Sequence, residues 1–345
     1  MPSVCPRTGL ADYSFPSQYV EIVEHFLDNR GHDGRKLLIN KGLGSPERLY
    51  EAGVITGEQL KALFEVCAQH ADANKPLSAQ LLEQFPVTAH GLLGIVVMTS
   101  PTLEYALEAA LKFYPLVMPA YSIQKREVRD QLHLVFEPLV DFGVVSEAVS
   151  EIIIGAFNSI QKYVAPHHIM LEVQFRHQNR FPLEAYQGFA DVHRLHFGQP
   201  ENKLILPKAN LHFPISTANK VTLLQFEKEL EKQILRFRRQ LSLRERVAEY
   251  LHGKVADNEN VSIELAAEAF FLSSRTLSRK LSAEGASFSD LVTETRIKVA
   301  SELLRHSTKS IGQIADYVGF ASDSSFCRAF KKWSGMSPTE FRADS

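Results

Sequence analysis

The chain has 345 residues, 45% of them hydrophobic, with a formal net charge of −2 and a pI near 6.7. This apolar content suits two medium domains with proper cores, or one large domain. The balanced charge excludes a basic nucleic-acid coat and an acidic tail over the whole chain, although it allows a local basic patch.

The cysteines and the apolar runs indicate the cellular compartment in which the protein is expected. The chain contains three cysteines, Cys5, Cys67 and Cys327. Because they are far apart and odd in number, we expect neither a disulfide framework nor a metal knuckle. Residues 1–18 lack the pattern of a secretion signal, and the most apolar runs, 91–98 and 151–157, are too short to span a bilayer. We therefore expect a soluble protein of the reducing cytoplasm.

The first third of the chain carries apolar residues at helical spacing. Helices are predicted over 17–30, 56–71 and 99–117. Thr56, with Gln59 three residues later, matches a capping box at the start of the second helix. For the third helix we expect Ser100 as N-cap, because Pro101 suits the first helical turn.

The pattern changes to alternation after residue 120. Residues 121–139 alternate and turn at Arg129–Asp130, which predicts a β-hairpin. The other predicted elements are a helix at 146–164 and strands at 168–177 and 202–207. Helices and strands mixed in this way predict an α+β domain with a partly antiparallel sheet.

A long amphipathic segment, 217–241, lies where the composition changes. Its apolar residues step by three or four positions, as in a short coiled-coil seam: Leu223, Phe226, Leu230, Ile234, Phe237 and Leu241. One interpretation is a long helix that packs on its own domain. We favour the other, a helix that forms a dimer or links two domains, because of its position in the chain.

The chain after residue 241 is nearly all helical and contains a repeat, 262–288 over 310–338. Matched pairs include Ala267 with Ala315, Leu277 with Phe326, Arg279 with Arg328, Leu281 with Phe330 and Gly285 with Gly335. Each copy predicts a small-residue helix, a turn and a second helix. The paired alanines allow the two helices to cross closely, and the apolar pairs four residues apart are expected to face the core.

The second helix of each copy has a basic and polar outer face. In the first copy this face carries Arg275, Thr276, Ser278, Arg279 and Lys280, and in the second it carries Ser324, Ser325, Arg328, Lys331 and Lys332. Such a helix after a turn is typical of helix-turn-helix DNA readers. Arg pairs with guanine, Ser and Thr bond base edges or phosphate, and Lys bonds phosphate. The recurrence of the face in a repeat argues against an ordinary solvated helix.

Between the two copies, residues 287–307 carry a continuous apolar stripe. A rigid helix here would fix the two units relative to each other. Two recognition helices on the same DNA face would enter successive major grooves, about 34 Å apart. The DNA site of one protomer is then expected to be asymmetric.

The C-terminal region resembles the AraC/XylS family of bacterial transcription regulators. The resemblance covers residues 242–342 and rests on “SSRTLSRKLSAEGASF”, on “RIKVASELL” and on “IADYVGFASDSSFCRAFKKWSGMSPTEFR”. It implies a double helix-turn-helix DNA-binding domain over 242–345. By position it assigns base and phosphate contacts to Arg275, Ser278, Arg279, Ser324, Ser325 and Arg328.

The first turn departs from the family pattern. Phe271 stands where the second copy, like the family, has a glycine, Gly319. A Phe with positive φ would be strained. We therefore expect the first turn to be shaped differently from the second.

The N-terminal two-thirds resembles the α+β effector domain of the subgroup that includes ornithine-utilisation regulators. Residues 191–207 and the following “LHFPIS” carry this resemblance. It implies an effector-binding and dimerisation domain over 1–216, unlike the sugar-binding cupin of the arabinose regulator, with a linker helix over 217–241. The implied partners are promoter DNA, a small-molecule effector, RNA polymerase and a second copy of the chain; we expect no cofactor and no membrane partner.

No catalytic motif is found: there is no phosphate-cradling Gly loop, no G-x-S-x-G elbow and no H-E-x-x-H. We therefore do not expect an enzyme. Two alternatives to an effector response stay open, a constitutive regulator whose N-terminal domain only dimerises or binds proteins, and a metal sensor. The metal hypothesis combines His193 and His196 with Cys67 or His212, although scattered histidines are commoner.

The effector pocket is expected to draw on the aromatic-rich segment 113–136, without assigned residues. Activation and repression are both open at this point. Cys327 lies beside Arg328 and has no assigned role.

Overall fold

The computed structural model describes residues 9–83, 86–164, 171–186, 194–307 and 309–343. The chain forms two compact units that meet between Leu235 and Arg236. This boundary falls within the segment 217–241. None of the described helices is both long and apolar enough to cross a membrane.

Helices form much of the N-terminal unit. Those described are α1 (Gln18–Asp28), α2 (Gly34–Asn40), α3 (Pro46–Ala52), α4 (Gly57–His70), α5 (Leu77–Leu82), α6 (Leu92–Thr99), α7 (Leu103–Phe113) and α8 (Ser146–Asn158). Helix α4 begins at the predicted capping box. The Thr56 hydroxyl accepts from the Gln59 N–H at 3.2 Å, and the Gln59 side chain accepts from the Thr56 N–H at 2.8 Å.

The helix predicted over 99–117 begins later than expected. Its N-cap is Thr102, whose hydroxyl accepts from the N–H three residues on at 3.3 Å. The backbone before it is extended because Thr102 pairs with Pro214, far along the chain. Ser100 is buried and donates to the Val96 carbonyl at the end of α6. The prediction of Ser100 as N-cap was therefore wrong, because the long-range pairing of Thr102 with Pro214 keeps the backbone around Pro101 extended.

Two sheets are described in this unit. The first pairs β1 (Ser14–Pro16) with β2 (Val54–Thr56), and the second contains β3 (Tyr121–Val128), β4 (Gln131–Pro138), β5 (Glu172–Gln174), β6 (Leu195–His196) and β7 (Lys203–Pro207). The second sheet has the order β3-β4-β7-β5-β6, and its neighbours are antiparallel except for the β5–β6 pair. The hairpin turns at Arg129–Asp130 as predicted. The predicted α+β class with a partly antiparallel sheet is confirmed.

Helix α8 lies at the centre of the N-terminal core. It contacts α5 and strands β4 and β7. Ile152, Ile153, Ile154 and Phe157 are all buried, so apolar residues cover most of its circumference. Residues 149–155 of α8 are all buried, so this part of the helix has neighbours on most sides, whereas Glu147 in the first turn reaches the surface.

Helix α9 (Lys220–Gln240) carries the predicted seam. Leu223, Leu230 and Ile234 are buried within the single chain. The Tyr105 hydroxyl of α7 donates to Glu227 of α9 at 2.9 Å. Leu223, Leu230 and Ile234 thus pack within the single chain, whereas Phe226 and Phe237 of the seam are half-buried. The helix carries the chain across the unit boundary. Its role as a helix that forms a dimer or links two domains stays a prediction.

The C-terminal unit is helical throughout its described residues. It contains α10 (Leu243–Ala256), α11 (Ile263–Ala269), α12 (Ser274–Ala283), α13 (Phe288–His306), α14 (Ile311–Tyr317), α15 (Asp323–Ser334) and α16 (Pro338–Ala343). The apolar positions matched by the repeat are buried in two clusters, one for each copy: Ala267, Leu277 and Leu281, and Ala315, Phe326 and Phe330. Helix α13 is the predicted rigid connection between the two copies. It contacts α10, which precedes the first copy, and it also contacts α14, α15 and α16 near the C-terminus.

Candidate nucleic-acid interface

The second helix of each repeat, α12 or α15, begins at a serine N-cap. Ser273 accepts from the Thr276 N–H and Ser322 from the Ser325 N–H, both at 3.2 Å. The hydroxyls of Thr276 and Ser325, three residues after the N-caps, in turn interact with the N-cap residues. Thr276 Oγ1 lies 2.9 Å from Ser273 Oγ, and Ser325 Oγ donates to the Ser322 carbonyl at 2.7 Å. Two of the predicted DNA-facing hydroxyls are therefore half-buried and occupied by helix capping.

The remaining predicted residues are exposed on the two helices: Arg275, Ser278, Arg279 and Lys280, and Ser324, Arg328, Lys331 and Lys332. On α12, Arg275, Ser278 and Arg279 are three and four residues apart and share one face. On α15, Ser324, Arg328 and Lys331 follow one another at four and three residues and also share one face. Since the apolar positions of both helices are buried, these faces point away from the protein.

The six cations on these faces have no ion-pair partner within 4.0 Å among the described residues. The lysines elsewhere are often paired, as Lys298 is with Glu294 at 2.8 Å. Of the six, Lys331 interacts electrostatically with Glu340. A cation without an ion-pair partner is available to phosphate, and its contact with DNA releases condensed counterions. The two faces therefore have the charge and the hydrogen-bond donors that a DNA duplex requires.

The two turns share one backbone shape. Phe271 has φ of 55° and Gly319 has φ of 85°. In each turn this residue donates to the carbonyl three residues back at 3.0 Å, and the next N–H donates five residues back, at 2.8 and 2.9 Å. The expectation of a different first turn was wrong, because these hydrogen bonds hold Phe271 in the left-handed region while its ring stays 96% exposed.

Glycine is required in the second turn for a second reason. A Cβ at Gly319 would lie 2.9 Å from Nη2 of Arg296. Arg296 comes from the “RIKVASELL” stretch on α13, and burial lowers the pKa of its guanidinium. The Phe271 side chain projects into solvent instead, so the first turn tolerates it at the expense of backbone strain.

Two further residues of the signature have structural contacts that the sequence did not reveal. Arg342 donates to the carbonyls of Leu304 at 3.3 Å and Lys309 at 2.7 Å, which fastens α16 to the end of α13. Cys327 is half-buried and packs against the second core cluster. It occupies the repeat position of Ser278, where it acts as a small apolar side chain.

The N-terminal unit contains an apolar cavity of about 70 Å³ between α1, α6, α7 and α8. The segment 113–136 contributes Tyr114, Val117 and Met118, all before its strands begin, and the helices contribute most of the lining. That this segment lines the effector pocket stays a prediction. The cavity residues Tyr19 and His90 lie 71 positions apart, and nothing local in the sequence marks them.

Tyr19 and His90 form a polar pair in this cavity. The Tyr19 hydroxyl lies 3.3 Å from His90 Nδ1 and 3.5 Å from the Val117 carbonyl oxygen. Burial lowers the pKa of His90 to about 4 and raises the pKa of Tyr19. Both side chains are therefore neutral near pH 7.

The histidines proposed for metal binding do not gather in the part of the chain that is described. His196 lies 3.8 Å from Glu172, and His212 lies 3.9 Å from Glu104. Within that part, no three metal-ligating side chains come together. His193 lies outside the described residues.

Comparison with known proteins agrees with this architecture. Residues 31–215 match the family model of the arabinose-binding domain of AraC transcription regulator, N-terminal, and residues 266–344 match a helix-turn-helix domain. The ornithine utilization regulator of Pseudomonas aeruginosa is 28% identical over 279 residues, 80% of each chain. An uncharacterized HTH-type transcriptional regulator of Mycobacterium tuberculosis is 26% identical over 340 residues, 96% of this chain and 97% of its own.

The crystal structure of the transcriptional regulator CdpR from Pseudomonas aeruginosa covers 94% of this chain and 98% of its own, with 19% identity and a TM-score of 0.45. The N-terminal family match alone, residues 31–215, spans more than half of the chain. With the matched helix-turn-helix domain that follows it, the chain belongs to the AraC family of transcription regulators.

Proposed function

We propose that this transcription regulator reads promoter DNA with α12 and α15 and responds to a small molecule bound in its N-terminal domain. The observation that carries the DNA-reading proposal is the pair of exposed, unpaired basic faces at matching positions of a repeat. Arg279 and Arg328 stand at the centre of these faces and are assigned to base edges. Lys280, Lys331 and Lys332 are assigned to phosphates.

The shared contact with α13 supports a composite DNA site. Helix α13 contributes Leu291 to the core cluster of the first repeat and Ile297 to that of the second, and α12 and α15 belong to one compact unit. We propose that they enter successive major grooves, about 34 Å apart, so that one protomer reads an asymmetric site. The proposed domains are 1–216 for effector binding and dimerisation, 217–241 as linker helix and 242–345 for DNA binding.

The cavity favours an effector response over a constitutive dimerisation module. Helix α7 forms part of its wall and is tied to α9 through the Tyr105–Glu227 hydrogen bond and the Lys112–Glu231 ion pair. A ligand in the cavity would thus touch a helix that is bonded to the connection between the two units. Ornithine is named in the name of one relative and arabinose in the matched family model, so both provide comparison ligands for a binding test.

The other proposed partners follow from the regulatory role. A transcription regulator acts on RNA polymerase at the promoter, and a second copy of the chain would read a second half-site. Because its proposed target is chromosomal DNA, we place the chain in the cytoplasm.

The DNA assignment is tested by truncating one arginine. We expect Arg328→Ala to weaken binding to DNA from the region upstream of the regulator's own gene by about 1–3 kcal/mol and to relax its sequence preference. Fluorescence anisotropy with specific and scrambled duplexes at fixed salt measures both effects. The matched control is Arg180→Ala, an exposed arginine of the N-terminal unit, which should leave binding unchanged. An unaltered sequence preference in Arg328→Ala would remove the assignment.

A further inference from the structure

We infer that the cavity between α1, α6, α7 and α8 binds a neutral, mostly apolar molecule that carries a single hydrogen-bonding group. The inference deepens the proposed effector response and rests on it. The cavity has a volume of about 70 Å³. An apolar cavity of about 150 Å³ holds benzene, so a ring-sized ligand requires the side chains of the walls to move apart.

The walls exclude a charged ligand. They are formed by side chains such as Leu93, Val97, Leu107, Ile153 and Phe157, and the described lining contains no Asp, Glu, Lys or Arg. A charged group in this space would lose its hydration without gaining a counter-charge. Ornithine carries charged amino and carboxyl groups, and arabinose carries several hydroxyls that would find few partners. Both are therefore poor ligands for this cavity.

The Tyr19–His90 pair provides a polar contact point, and Tyr114 adds a further hydroxyl to the lining. Nδ1 of His90 faces the Tyr19 hydroxyl at 3.3 Å, whereas Nε2 has no hydrogen-bond partner among the described residues. His90 also keeps part of its surface accessible although protein surrounds it, as expected for a side chain that lines a cavity. Its neutral ring has one donor and one acceptor nitrogen. A ligand hydroxyl, which can both donate and accept, suits either tautomer.

Small side chains on facing helices create the space. Ala110 of α7 and Ala156 of α8 line the cavity, and Gly94 of α6 lies where a Cβ would meet the Val87 carbonyl oxygen at 2.0 Å. The two alanines are the positions at which a larger side chain could grow into the cavity. They therefore provide filling variants for a test.

Three near-isosteric probes test the charge requirement: benzyl alcohol, benzylammonium and benzoate. With the full-length chain, we expect benzyl alcohol at ten times its Kd to raise the midpoint of thermal unfolding by about 3–6 °C. Titration calorimetry should detect binding of benzyl alcohol and at least tenfold weaker binding of either ion. Equal binding of the ions, or no binding of benzyl alcohol up to its solubility limit, overturns the inference.

Two variants locate the binding. Ala156→Leu should abolish the shift by benzyl alcohol while the unliganded chain melts no lower, since the leucine fills the cavity. His90→Phe removes the imidazole that the ligand hydroxyl contacts, so it should weaken benzyl alcohol roughly fivefold and leave toluene, which lacks the hydroxyl, unchanged. Undiminished benzyl alcohol binding in Ala156→Leu, or equal losses for both ligands in His90→Phe, contradicts the assigned site.

Promoter binding in the same preparation separates this inference from the proposed function. A chain that binds promoter DNA but not benzyl alcohol overturns the ligand class and leaves DNA reading intact. A chain that binds benzyl alcohol in the cavity but no promoter DNA supports the ligand class and argues against the proposed regulation.

Discussion

Phe271 occupies a left-handed backbone conformation, with φ of 55°, while its ring lies in solvent. A bulky residue in this region is strained by about 1–3 kcal/mol, and glycine relieves the strain at some cost in unfolded-state entropy. We expect Phe271→Gly to stabilise the C-terminal unit by about 0.5–1 kcal/mol. Urea unfolding followed by fluorescence measures this, because Trp333 of α15 is the chain's single tryptophan.

The matched control for Phe271 is the equivalent position of the second repeat. Gly319→Ala should destabilise the same transition by more than about 1 kcal/mol, because a Cβ there meets both the backbone restriction and the Arg296 guanidinium. If Phe271→Gly and Gly319→Ala changed the free energy of unfolding in the same direction and by the same amount, backbone strain would not distinguish the two turns.

His90 makes stability depend on pH. Its folded pKa of about 4 lies below the ordinary value of 6.5, so the unfolded chain binds more protons between these values. Stability should therefore fall as the pH drops from 6.5 to 4, and the His90 contribution amounts to about 2–3 kcal/mol. Urea unfolding followed by circular dichroism should show a smaller loss across this window for His90→Gln. Identical pH profiles for both chains would contradict the burial of His90.

Helix α8 combines an apolar circumference with one buried carboxylate. Glu151 accepts from the hydroxyls of Ser78 and, at 3.1 Å, Tyr186, and it lies 2.8 Å from His177 Nε2. Burial, and next the charge of Glu151, raise the pKa of Tyr186 above its usual range, which keeps that hydroxyl protonated as a donor. The network thus joins α8 to α5 and to the segment after β5.

Removal of this carboxylate takes away a hydrogen-bond partner of Ser78, Tyr186 and His177, of which the first two are buried. We expect Glu151→Ala to destabilise the N-terminal unit by about 2–4 kcal/mol. Glu147→Ala on the same helix, whose carboxylate pairs with Arg180 at the surface, should change stability by less than about 0.5 kcal/mol. Thermal unfolding of both variants provides the comparison, and similar midpoints would mean that the buried network contributes little.

Elements whose signals are local could be predicted from the sequence. The Thr56 capping box, the hairpin at Arg129–Asp130 and the basic faces of α12 and α15 each lie within a few consecutive residues or in a repeat. Ser100 was assigned wrongly because the pairing of Thr102 with Pro214 is long-range. The cavity could not be predicted for the same reason, since its lining residues extend from Tyr19 to Ile160 along the chain.

At the scale of the whole molecule, the two repeats lie in the region of the matched helix-turn-helix domain. We propose that they select the DNA sequence to which the chain binds. They present two similar faces from one helical unit, and α13 packs against elements of both. If each face reads its own major groove, their contributions to sequence preference are spatially separate. Arg279 and Arg328, at matching positions, should then specify base pairs about one helical turn, or roughly 10 bp, apart.

The most direct test maps the base pairs whose identity matters for binding. Anisotropy with a set of singly substituted promoter duplexes should show that Arg279→Ala relaxes preference at one group of positions and Arg328→Ala at another, about one turn away. Each variant should lose about 1–3 kcal/mol. If both variants relax the same positions, or weaken every duplex equally, the two faces do not read separate grooves and the central claim is wrong.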